Sequence, residues 1–154
     1  DALSGGAGAE TREGGAGNDV LTGGTGNDLY RFGYGDGQDQ LLDVDPTAGN
    51  RDTVVLGASA LDIVFTRAGL GLALSLHGGS DTLTVQGWGL GSTFQTEVFQ
   101  AADGSTLANT QVDQLIQAMA TFSANNGGIS WDQAITQNPN EAQAVLSAYW
   151  QPGA

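Results

Sequence analysis

Four acidic residues open the chain at constant spacing: Asp1, Glu10, Asp19 and Asp28 lie nine residues apart. Glycines keep the same register. Gly5-Gly6, Gly14-Gly15 and Gly23-Gly24 precede the last three acids, and Gly8, Gly17 and Gly26 follow each pair. Carboxylates repeated beside glycine turns can bind a hard cation. The carboxylates are anionic oxygen donors, and glycine lets the backbone take positive φ and turn its carbonyls inward. Oxygen-only ligation suits calcium. A flexible glycine-rich linker has a similar composition, but it has no reason to hold glycines and acids in register over four periods.

The elements that position these groups follow from the rest of the period. Each acid is followed by a three-residue tail: Ala2-Leu3-Ser4, Thr11-Arg12-Glu13, Val20-Leu21-Thr22 and Leu29-Tyr30-Arg31. Six turn residues and a three-residue strand, with its middle side chain facing a core, make one repeat. Two repeats make one coil, so turns eighteen residues apart stack, Glu10 over Asp28 and Asp1 over Asp19. Stacked carboxylates repel, and a cation between them removes the repulsion. The second repeat departs from the pattern. Glu10 replaces aspartate, and Arg12 stands where an apolar strand residue belongs.

After Arg31 the register shifts. Gly37 falls where an acid is due, and the chain reads Phe32-Gly33-Tyr34-Gly35-Asp36-Gly37-Gln38-Asp39. These repeats resemble those of RTX proteins, the haemolysin-type calcium-binding family. The stretch from Tyr30 to Leu42 is similar to that family's terminal repeat, an aromatic pair followed by Gly-x-Gly-Asp-Gly-x-Asp and an apolar strand. The resemblance implies calcium ligation by Asp36 and Asp39, with Gly33 and Gly35 in their turn. The full set of expected metal-site residues is Gly5, Gly6, Gly8, Glu10, Gly14, Gly15, Gly17, Asp19, Gly23, Gly24, Gly26, Asp28, Gly33, Gly35, Asp36 and Asp39.

Strand signals follow over 51–56, 62–66, 72–76, 83–88 and 94–99, with Leu72, Leu74 and Leu76 alternating with small or polar residues. The period then becomes helical at Val112, Leu115, Ile116, Met119 and Phe122, with Thr110 as N-cap. Ser130 and Gln133 form a capping box, and Pro139 opens a last helix with Ala142, Val145, Leu146 and Tyr149 on one face. The expected fold is mostly β: a parallel β-roll capped by antiparallel hairpins and followed by short C-terminal helices. Its expected parts are a roll over 1–42, a hairpin cap over 43–108 and a helical tail over 109–154. The order of these parts looks like the C-terminal block of RTX cytotoxins of the adenylate cyclase toxin type. That resemblance implies a tail, from about Gly128 to Ala154, read by type I secretion machinery. It also implies a secreted, extracellular product of a Gram-negative bacterium, finishing a larger toxin or exoenzyme. Asp1 stands where the last ligand of a repeat would stand, so a further portion is expected before it.

Composition bounds the partners. A net charge of −13 opposes nucleic acids and anionic membranes, which carry the same sign. No cysteine is available for a disulfide, no apolar run is long enough to span a bilayer, and no N-terminal signal peptide is read. A monomer is expected. His77, Ser80 and Asp81 hold the elements of a hydrolase triad but sit around one turn, whereas a triad converges from separate elements. Asp43-Val44-Asp45 hints at an EF-hand, but Ala48 and Val54 fall where glycine and glutamate are needed. No phosphate-binding Gly-Lys-Ser/Thr follows the glycines. No enzyme site is expected. The alternative is a polysaccharide- or surface-binding module, as in RTX adhesins and alginate epimerases, which the sparse arginines disfavour for acidic glycans.

Overall fold

A computed structural model describes residues 2–47 and 49–152. Asp1, expected to stack on Asp19, lies outside the described residues, as do Ala48 and the last two residues of the tail. The strands β1 (Ala2–Ser4), β2 (Thr11–Glu13), β3 (Val20–Thr22), β4 (Leu29–Phe32), β5 (Gln38–Leu42) and β6 (Thr53–Leu56) alternate between two sheets. Their pairing is parallel. Ala2 stands opposite Val20, and Thr11 opposite Leu29, eighteen residues on. Each strand is short because a glycine turn interrupts it every few residues, and its middle side chain is the one that points inward. Leu21, Tyr30, Leu41 and Val54 are fully buried.

The expected mostly-β parallel β-roll with a separate cap is not the fold. The chain is α/β, with two mixed sheets, mostly parallel strands and three helices; 28% of residues are helical and 32% strand. The hairpin strands extend the sheets of the repeat strands. β7 (Ile63–Ala68), β8 (Gly71–Leu76) and β9 (Thr82–Val85) join the first sheet, in the order β1-β3-β5-β9-β8-β7. β9 runs parallel to β5, while β8 is antiparallel to both β7 and β9. β10 (Val98–Gln100) and β11 (Thr106–Ala108) extend the second sheet, order β11-β10-β6-β4-β2. The reason is continuity of the apolar faces. Leu41 is followed across the sheet by Val85 and Leu72, and Tyr30 by Val54 and Phe99, so each added strand buries its side chains on a face already formed.

Three helices complete the core: α1 (Asn109–Asn125), α2 (Trp131–Gln137) and α3 (Pro139–Ser147). α1 starts ahead of the expected cap, with Ala108 at the N-cap position, and buries Val112, Leu115 and Met119. The Ser130–Gln133 capping box forms, and Pro139 takes the first position of α3. Phe99 meets Phe65 edge-on at 5.3 Å and Trp88 at 5.7 Å, and Phe65 lies 6.2 Å from Trp150 beyond α3. One apolar cluster therefore runs from Leu21 to Trp150. Among the described residues, no helix is long and apolar enough to cross a membrane.

Candidate calcium-binding turns

Because the strands alternate between sheets, the turns fall into two rows. The first row links sheet one to sheet two: residues 5–10, 23–28, 43–52 and 86–97. The second row runs back: residues 14–19 and 33–37, joined by the β8–β9 turn at Gly78–Asp81. Glu10, Asp19 and Asp28 each lie against the glycines of their own turn. Glu10 Oε2 sits 2.8 Å from where a Gly5 side chain would begin and Oε1 3.5 Å from that of Gly8; Asp19 lies in the same way against Gly14 and Gly17. Turns also meet between coils. Thr25 N–H donates to Gly6 O at 3.0 Å and Gly8 N–H to Thr25 O at 2.9 Å. Gly24 and Gly26 have φ of 107° and 117°, and any side chain there would collide with the carbonyls of Gly6 and Gly8. Glycine is needed at both positions for conformation and for close approach.

The acids of the first row form a ladder. Glu10 N–H donates to Asp28 Oδ1 at 2.9 Å, Asp28 N–H to Asp52 Oδ1 at 2.7 Å, and Asp52 N–H to Glu97 Oε2 at 2.8 Å. Each carboxylate thus caps the backbone of the coil before it. Asp45 adds a rung by accepting from Gly26 N–H at 2.9 Å. In the second row Asp19 N–H donates to Asp39 Oδ1 at 2.9 Å, and Gly35 and Gly37 donate to Asp81 at 3.0 and 2.8 Å. Asp39 is therefore the stacked acid of the shifted repeat. Asp36 instead serves its own turn, accepting from Gly33 N–H at 2.8 Å.

Five acids of these turns, Asp43, Asp45, Asp52, Asp81 and Glu97, are not among the expected site residues, because the nine-residue spacing ends at Asp28. A different signal runs on. Asp52, Asp81 and Glu97, like Asp28, each stand just before a strand of the form x-apolar-x.

The electrostatics of the two rows leave negative charge uncompensated. Asp28, Asp39, Asp43 and Asp52 are all at most 2% exposed. One oxygen each of Asp28, Asp39 and Asp43 has no hydrogen-bond partner. Burial pushes the Asp28 and Asp39 carboxyls above the usual range, against the pull of the backbone N–H groups of Glu10 and Asp19. Burial likewise raises Asp52 and Glu97. Asp43 is pushed up to about 8 by burial and then by the charge of Asp52. The Tyr30 phenol is also raised, by burial and by the nearby charges of Asp43, Asp52 and Asp28. Asp81 moves the other way, lowered by the N–H groups of Gly35 and Gly37.

Buried carboxylate oxygens without partners are costly, and here they are anionic oxygen donors at or near glycine turns that also carry backbone carbonyls. That donor set fits calcium. Among the described residues no three side chains of His, Cys, Asp or Glu gather as ligands for one metal, so a cation here would draw its remaining ligands from the turn carbonyls. The elements of a hydrolase triad stay apart. His77 Nδ1 pairs with Asp132 Oδ1 of α2 at 2.8 Å, while Asp81 is engaged by the turn glycines. The chain matches no known family model and no curated protein.

Proposed function

We propose that this chain is a calcium-binding module whose order is coupled to calcium, and that it belongs to a secreted protein exported by type I machinery. The observation that carries the calcium reading is the pair of buried carboxylate oxygens left without partners, one at Asp28 beside Gly23 of its turn and one at Asp39 near the start of β5. The glycine turns hold the acids of successive coils one above another. A divalent cation supplies the positive charge that these stacked acids lack. Asp19 and Asp39, with carbonyls of Gly14, Gly15, Gly17, Gly33 and Gly35, would hold it in the second row; Asp28, with those of Gly23, Gly24 and Gly26, would do so in the first.

Without that charge, acid repulsion and the large backbone entropy of glycine oppose the repeats. Cation binding to the ordered form alone stabilises it by mass action. Sites of this extracellular kind have dissociation constants of roughly 0.1–1 mM. At low cytosolic calcium the repeats would stay loose enough to thread through an export channel, and outside they would order. The export reading rests on the resemblance of the repeats and tail to RTX proteins. Far-UV circular dichroism with 5–10 mM calcium (about ten times the weakest such constant) and with chelator tests the coupling. Strand signal should rise on calcium addition, and an unchanged spectrum would sink the proposal.

A further inference from the structure

The first turn contains a cation of its own. Arg12 is the middle residue of β2, a position that points inward in the other repeats, and it pairs in register with the buried Tyr30 of β4. Its side chain is 21% exposed and that of Glu10 24%. The guanidinium Nη2 lies 4.0 Å from Glu10 Oε2. Both converge on Gly5: a side chain there would begin 2.5 Å from Arg12 Nη2 and 2.8 Å from Glu10 Oε2, and would collide with Gly23 O of the next coil. One coil on, Gly23 is crowded in the same manner by Tyr30 Oη and Asp28 Oδ2. The inward residue of each of these two first-row strands thus sends a polar tip to the first glycine of its turn, beside the acid. In β2 that tip carries a full positive charge.

We propose that the Arg12 guanidinium holds, in the first turn, the place that calcium holds in later turns, so that this turn is neutralised by the chain itself and takes no ion. The proposal rests on the calcium reading above and deepens it. Arginine suits the place because it stays charged at every working pH and its planar fork can face carboxylate and carbonyl oxygens together. Glutamate suits it too, since its longer arm leaves room for a guanidinium where aspartate would draw an ion close. The two departures from the repeat at positions 10 and 12 then form one paired change.

The test is to count calcium ions bound per chain by calorimetry, in wild type, Arg12→Leu and Arg12→Lys, at fixed ionic strength. Arg12→Leu should bind one ion more than wild type, because it empties the turn of its internal charge. Arg12→Lys should keep the wild-type number. An Arg12→Leu count equal to or below that of wild type overturns the proposal. A wild type that binds no calcium overturns the calcium reading and this proposal with it; a wild type that binds calcium while Arg12→Leu gains none overturns this proposal alone.

Discussion

The two rows of turns are built from the same repeat yet handle buried charge differently. The strands leaving the first row carry Arg12, Tyr30, Val54 and Phe99 inward; those leaving the second carry Leu21, Leu41 and Leu83. The first row therefore places a guanidinium and a phenol beside its acids and links them in an unbroken ladder from Glu10 to Glu97. The second row has only apolar side chains beneath its acids. Burial raises the first-row acids Asp28, Asp43, Asp52 and Glu97, whereas in the second row it raises Asp39 while the Gly35 and Gly37 N–H groups lower Asp81. On the proposed calcium reading, the inward residue of each strand would set how much charge its turn must obtain from solution.

This contrast can be broken most directly in the interior. Leu41→Ala should cost about 2–5 kcal/mol, the usual range for a buried leucine, whereas Arg12→Ala should cost about 1 kcal/mol or less, as for a partly exposed ion pair. Urea denaturation in saturating calcium measures both, and equal losses would erase the distinction.

The next test is pH. Asp28, Asp39, Asp43 and Asp52 have raised pKa values in the folded chain. Their contribution to stability is fully present below the ordinary carboxylate value and is lost as pH rises through the folded value, which for Asp43 is about 8. The calcium-free chain should therefore become more heat-stable between pH 8 and pH 5, and Asp43→Asn should flatten that rise. Asp81, Asp45 and Asp103 are lowered, so their contribution is lost in stronger acid, and the gain should end near pH 4, around the ordinary value. Calcium affinity should move oppositely, because protons compete for the same oxygens.

Smaller effects separate the rows further. Asp39→Ala should weaken calcium binding about tenfold or more, equivalent to about 1.4 kcal/mol, read by calorimetry; an unchanged affinity would remove Asp39 from the site. Gly15→Ala should cost about 1 kcal/mol, since φ is 77° but the space beside it is open.

Much of this is legible in residue order alone, for identifiable reasons. Glycine turns and apolar strand centres have strong local signatures, so the first four strands, the Ser130–Gln133 capping box and the Pro139 helix start are readable. Asp39 is readable through a two-residue shift in register. The fold class is not. Whether a hairpin caps a sheet or extends it depends on which strand it pairs with, and alternation in Leu72, Leu74 and Leu76 is identical in both cases. Asp43 and Asp45 read as a fragment of a calcium loop whose pattern fails; their partners, Thr96 and Gly26, are distant in sequence. Asp52, Asp81 and Glu97 keep no constant spacing, because the turns before them differ in length. The short apolar-centred strand that comes directly after each one is the signal that marks them.

The direction of the first-row ladder has a mechanical consequence. Every rung runs from a carboxylate to the backbone of the coil before it, never the reverse, and the last rung, Glu97, leads directly into β10 and the helix-packed core. Tension applied at the N-terminal side should peel the repeats in order, each release breaking one rung together with the strand pairing and turn bonds beside it. The same tension applied at the C-terminal side would meet α3 and the aromatic core first, and yield only when many contacts fail together. Force spectroscopy from the module's two ends should then record small steps in one geometry and a single large rupture in the other.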